Sequence, residues 1–147
     1  GYINIDLCWF DLKFEELENY EHIVIKKMLK FSSKFFNLND MVGIETWAQV
    51  NTRPGNHDSS WHYDKDEFLF KKYNKLSYPL MTCIYYLSVK NLKGGNLLTE
   101  NEIIKPIENR LVCFSPGVYH SVEPFNSFTG ERISLLLNPW NYKINYE

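Results

Sequence analysis

The side chains of this chain best spaced to do chemistry are two histidines and an aspartate. In the stretch Asp58-Ser-Ser-Trp-His-Tyr-Asp-Lys-Asp-Glu67, His62 and Asp64 lie two apart. Residues i and i+2 of an extended segment point to one face, so this imidazole and carboxylate could reach a common ion. The spacing alone is weak: with 4 His and 18 acidic residues among 147, roughly 0.5 such pairs arise from composition. A third group, His120, follows the turn Ser115-Pro-Gly117 and opens another strand-like stretch, Tyr119 to Pro124. A closed structural zinc site would want a fourth ligand, usually Cys, and Cys8, Cys83 and Cys113 adjoin neither segment.

Two imidazoles and one carboxylate on one side of an ion, with the other positions open, form the facial triad typical of non-haem Fe(II) oxygenases. Arg132 and Ser134 add a second feature. They share one strand face, while Ile133, Leu135 and Leu137 share the apolar one. A guanidinium pointing into a barrel is costly unless an anion meets it. A dicarboxylate co-substrate would supply that anion, held bidentately by Arg with a hydroxyl donor from Ser. A structural pairing of Arg132 with Glu131 or Glu123 is the alternative. Tyr86 alternates with Thr82 and Ile84 on one face, so one tyrosine can face the same cavity.

These residues need a scaffold. At 147 residues and 17.5 kDa, with 44% apolar and 16% aromatic side chains, the chain suits one domain with one substantial core. We expect that domain over 1–147, its core at about 42–140. The net charge of −2 provides no global basic field, so nucleic acid is not indicated as a partner. Three widely spaced Cys in apolar runs suit buried reduced thiols and an intracellular, cytoplasmic location. No apolar stretch approaches the ~20 residues that span a bilayer, and no membrane partner is expected.

Residues 2–10 read as an opening strand. Asp11 then offers a helix N-cap before Glu15, Glu16 and Glu18, and Leu17, Tyr20, Val24, Met28, Phe31 and Phe35 recur at helical spacing. From Met41 the pattern changes to short strands at 42–52, 61–64, 80–88, 96–99, 110–115, 119–124 and 131–138, broken by Pro54-Gly55, Gly94-Gly95, Pro116-Gly117 and Ser127 to Gly130. Residues 67–79 read as a long loop or short helix beside the site. Close-set strands after helix, without strand-helix alternation, predict a mainly β sandwich or barrel with a flanking helix. His22 and His57 read as ordinary polar histidines, and Lys65, Asp66 and Glu67 as a solvated face.

Six ordered elements then carry a resemblance: His62-Tyr-Asp64, Thr82-Cys-Ile-Tyr-Tyr-Leu87, Gly94-Gly-Asn-Leu97, Arg110-Leu-Val-Cys-Phe114, His120-Ser-Val-Glu-Pro124 and Glu131-Arg-Ile-Ser134. The sequence resembles the Fe(II)/2-oxoglutarate-dependent dioxygenases, most closely their prolyl-hydroxylase branch. The resemblance implies a double-stranded β-helix (a cupin-like jelly roll) with the N-terminal helix on its major sheet. It implies Fe(II) on His62, Asp64 and His120, and 2-oxoglutarate on Arg132, Ser134 and Tyr86. It further implies O2 as oxidant, ascorbate as an accessory reductant, and hydroxylation of an organic substrate, such as a prolyl or other peptide residue, coupled to formation of succinate and CO2. The departures cluster around the substrate. His120 and Arg132 are spaced more widely than in the oxygen-sensing members, Asn138 stands where those carry Trp, and Arg53 where they often carry Tyr. Arg53, Trp61, Tyr63, Asn138 and Trp140 are therefore expected at the substrate entrance. Two rivals share the features in part: a cupin-like zinc or manganese enzyme, which needs no dicarboxylate receptor, and a non-catalytic binding module on the same fold.

Overall fold

Alternation of apolar and polar residues in the chain's strands produces two facing antiparallel sheets. The computed structural model describes residues 2–51, 59–125 and 130–146. Its elements in order are β1 (Tyr2–Asp11), a 3-10 turn (Phe14–Asn19), α1 (Ile23–Ser32), β2 (Gly43–Asn51), β3 (Ser59–His62), α2 (Glu67–Tyr73), β4 (Thr82–Lys90), β5 (Leu97–Thr99), β6 (Ile103–Ile104), β7 (Leu111–Phe114), β8 (His120–Val122) and β9 (Glu131–Trp140). The major sheet has the order β1-β2-β9-β4-β7 and the minor sheet β3-β8-β5-β6. From β2 to β5, and again from β7 to β9, successive strands alternate between the sheets. That winding is the expected double-stranded β-helix.

The major sheet is covered on both faces. On its outer face Ile25, Met28 and Leu29 of α1 are buried with Ile44, Cys83 and Leu137, one from each of three adjacent strands. On its inner face Ile84 and Tyr86 pack with Leu97 of the minor sheet, bordered by Val112, Phe114, Val122 and Leu136. Leu29 is fully buried between helix and sheet. Truncating it to alanine removes contacts that the rigid sheet cannot replace, so Leu29→Ala should cost about 2–5 kcal/mol in urea unfolding.

Local chemistry departs from the expected helix. A 3-10 turn and α1 replace one continuous helix, because Tyr20 ends the first turn in extended backbone and His22 caps α1, accepting from Ile25 N–H at 3.3 Å. Asp11, expected as the cap, stays in β1 and accepts from Trp9 Nε1 at 2.8 Å. Phe31 and Phe35, placed by periodicity on the buried stripe, are exposed. Among the cysteines, Cys83 is buried and faces Cys113 across the β4–β7 pair, whereas Cys8 is exposed on the sheet-edge strand β1. The two-residue strand β6 left no pattern long enough to read. Asp66 is not on a solvated face: it is buried, caps α2 through Leu69 N–H at 3.0 Å and accepts from Tyr142 Oη at 2.8 Å. No helix among the described residues is long and apolar enough to cross a membrane.

Candidate metal centre

Three strand ends bring the candidate ligands together. His62 closes β3, His120 opens β8 directly opposite it, and Asp64 lies two residues beyond β3. Asp64 Oδ1 is 3.3 Å from His62 Nε2 and 3.3 Å from His120 Nε2, and the imidazole rings are 4.4 Å apart. One ligand atom from each residue lies within 4.8 Å of the others.

Both imidazoles are oriented from behind. His62 Nδ1 is 2.6 Å from Ser60 O, and His120 Nδ1 is 2.8 Å from Val118 O. A backbone carbonyl only accepts, so each Nδ1 carries a proton and each Nε2 is turned towards Asp64 Oδ1. Three acceptors aimed at one point repel unless a proton or a metal ion lies among them. In the metal-free molecule a proton on His62 serves: the hydrogen bond to Asp64 raises the affinity of His62 for its second proton. Burial opposes ionisation of Asp64, but hydrogen bonds from His120 and His62 together outweigh it and hold its carboxyl well below the usual range. Two imidazole nitrogens and one carboxylate oxygen suit a divalent transition metal with open positions.

A cavity of about 190 Å³ runs from this cluster between the sheets. His62, Asp64 and His120 line one part, and Tyr86, Arg132 and Ser134 another, with Trp47, Gln49 and Ile84 among the remaining wall residues. That volume is below the ~300–1,000 Å³ of drug-sized ligand pockets and suits a small acid. Grooves of about 500 Å³ lie elsewhere on the surface, but they gather no comparable set of donors. Arg132 is 3% exposed; its Nη1 donates to Gly95 O and its Nη2 to Asn51 Oδ1, each at 3.2 Å, and its guanidinium carbon lies 4.7 Å from the Phe125 ring centre. Gly95 has φ +69°, and a Cβ there would meet Phe125 at 2.5 Å, so glycine permits the ring that backs Arg132. Glu131 accepts from Ser88 Oγ at 2.6 Å.

The entrance residues fare differently. Asn138 and Trp140, expected at the mouth, are buried at 3% and 0% exposure. The β2–β9 register explains this: Asn138 lies opposite Glu45 on the inner face, and Trp140 donates to Glu45 Oε1 at 2.6 Å. Burial pushes the Glu45 carboxyl up from its ordinary value. Trp61 and Tyr63 flank His62 in sequence and do not line the cavity. They stack on Tyr119, with ring centres 5.4 and 4.8 Å away, and Tyr63 also lies 5.9 Å from Tyr78. Arg53, like His57, lies outside the described residues. Sequence reasoning missed Trp47 and Gln49 in the cavity wall and Thr82 behind Asp64, although the alternation of β2 and β4 carried the signal.

A family model described as the 2OG-Fe(II) oxygenase superfamily matches residues 48–140. No functionally curated protein matches in sequence. Among solved structures, an oxidoreductase of the 2OG-Fe(II) oxygenase family from Burkholderia pseudomallei superposes with TM-score 0.58 at 13% identity, over 90% of this chain and 59% of that one. A Pseudomonas putida prolyl-4-hydroxylase gives TM-score 0.58 at 18% identity, over 97% of this chain and 74% of that one. A prolyl 4-hydroxylase from Phytophthora capsici gives 0.52 at 18%, over 89% and 47%. The chain thus spans little more than half of the Burkholderia protein and less than half of the Phytophthora one. Sequence and fold agree: this chain belongs to the 2OG-Fe(II) oxygenase superfamily.

Proposed function

We propose that this chain is an Fe(II)- and 2-oxoglutarate-dependent dioxygenase that hydroxylates an organic substrate. The observation that carries the reading is the convergence of His62 Nε2, His120 Nε2 and Asp64 Oδ1 in a cavity also lined by Arg132. In this reading His62, Asp64 and His120 hold Fe(II), and Arg132, Ser134 and Tyr86 hold the far carboxylate of 2-oxoglutarate. The pair would supply O2 activation, with decarboxylation to succinate and CO2 coupled to hydroxylation and ascorbate keeping the iron reduced. Likeness to the Pseudomonas putida prolyl-4-hydroxylase supports a prolyl or other polypeptide residue as the substrate class.

Electrostatics favour this pair of ligands. Fe(II) with two neutral imidazoles and one carboxylate carries +1, 2-oxoglutarate brings −2 and Arg132 returns +1, so the filled site is neutral. A neutral site can be dry, which protects a reactive centre from water. Hydrolysis at zinc or manganese would use bound water and would need no buried receptor for a dicarboxylate.

Anaerobic addition of Fe(II) and then 2-oxoglutarate should produce the visible charge-transfer band of a chelated keto acid. The band should vanish in His62→Ala. A wild-type protein that gives no band, or a variant that keeps it, would sink the proposal.

A further inference from the structure

Asp64 is held from behind by two side chains that nothing so far assigns. Its Oδ1 faces both imidazoles, while its Oδ2 lies 3.2 Å from Asn138 Nδ2 and 3.3 Å from Thr82 Oγ1. Thr82 Oγ1 is also 2.8 Å from Asn138 Oδ1. Thr82 and Asn138 are 2% and 3% exposed, and they stand on neighbouring strands of the major sheet, β4 and β9. Asp64 follows a strand of the minor sheet. The three side chains therefore bridge the two sheets directly behind the candidate metal centre.

Resting on the metal reading above, we infer that Asn138, oriented by Thr82, is a positioning residue that fixes Asp64 as a one-oxygen ligand. The hydroxyl of Thr82 has a single proton, and the 2.8 Å contact to Asn138 Oδ1 is the shorter of its two. An amide whose oxygen accepts from Thr82 must present its NH2 to Asp64. The flipped amide would set an oxygen against a carboxylate oxygen, and the repulsion excludes it. Asn138 thus occupies Oδ2 with a donor that cannot be lost by deprotonation. The only carboxylate oxygen left towards the imidazoles is Oδ1, and it is left in one orientation.

Side-chain choice supports the assignment. Glu45 lies opposite Asn138 in the β2–β9 register and is itself buried. A carboxylate at position 138 would stand between two others, so a neutral donor is the residue type that keeps Asp64 ionised and turned the right way. Such partners behind a ligand change metal affinity by about 10–100-fold when removed.

Co(II) serves as the probe, because its visible absorption reports both occupancy and ligand geometry in the absence of turnover. Asn138→Ala should weaken Co(II) at least tenfold and alter the intensity of its absorption, with Asp64 free to chelate through both oxygens. Thr82→Val, which keeps the shape and removes the hydroxyl, should weaken Co(II) at least threefold, and Thr82→Ser should restore wild-type affinity and spectrum. Smaller losses, or a Thr82→Ser variant as weak as Thr82→Val, overturn the inference. Should Asn138→Ala fail to fold, the Thr82 pair decides. A wild type that binds no Co(II) overturns the metal reading and this inference with it; tight wild-type binding with unaffected variants overturns this inference alone.

Discussion

Asp64→Asn should fold as the wild type does and lose metal binding. The substitution preserves shape, so the packing behind it is unchanged, and a single oxygen becomes an NH2. Asn138 Nδ2 faces the Oδ2 position as a donor, and while Thr82 holds that amide in place an oxygen is favoured there. With Asn138 still held by Thr82, the new amide turns its oxygen to Asn138 and its NH2 towards His62 and His120. A donor then replaces the acceptor at the point where the ion sits, and the site also loses its one negative charge. If a four-ligand site is worth about 10–16 kcal/mol in total, one ligand accounts for roughly 2.5–4, or two to three orders of magnitude in affinity. Titration with Fe(II) or Co(II) under anaerobic conditions measures this directly, and thermal unfolding of the metal-free protein checks the fold. An Asp64→Asn protein that bound either metal within tenfold of wild type would remove Asp64 from the ligand set.

How much of this site was legible before the structure follows from which properties are local. His62, Asp64 and His120 could be read because residue type and strand alternation are properties of short segments, and the winding of the strands then joins them. Arg132 and Ser134 could be read because a charged and a hydroxyl residue alternate with Ile133, Leu135 and Leu137. Asn138 and Trp140 could not be placed, although alternation puts them on the same inner face. Whether an inner-face position opens to solvent or closes the barrel depends on the register of β9 against β2 and on what the minor sheet lays over it, and neither is written in β9. Trp61 and Tyr63 differ from these: alternation next to His62 turns them out of the cavity, and they pack on Tyr119 instead. The break before α1 was hidden because the apolar stripe passes through Tyr20 at helical spacing, and only the capping bond to His22 shows where the helix starts.

Arg132→Ala should leave metal binding intact and weaken 2-oxoglutarate by about 2–5 kcal/mol, the cost of removing one partner from a buried charged hydrogen-bonded pair, or roughly 30- to 4,000-fold in Kd. The separation of effects follows from position. Arg132 shares the cavity with the three candidate ligands, but its own hydrogen bonds tie it to Asn51 Oδ1 of β2 and to Gly95 O in the loop before β5, and to neither of the carbonyls that orient the imidazoles. Those bonds, with the Phe125 ring lying against the guanidinium, hold the side chain in place before any ligand arrives. A fixed planar fork matches a carboxylate bidentately, whereas an ammonium offers one point of charge. Arg132→Lys should therefore retain part of the affinity, and Tyr86→Phe, which removes one neutral hydrogen bond worth about 0.5–1.5 kcal/mol, should lose least. The three variants form a graded series in 2-oxoglutarate affinity, measured anaerobically on the Fe(II) protein through the charge-transfer band. If Arg132→Ala bound the keto acid as the wild type does, the carboxylate receptor would have to be sought elsewhere in the cavity, and if it lost Fe(II) as well, Arg132 would be supporting the metal centre instead.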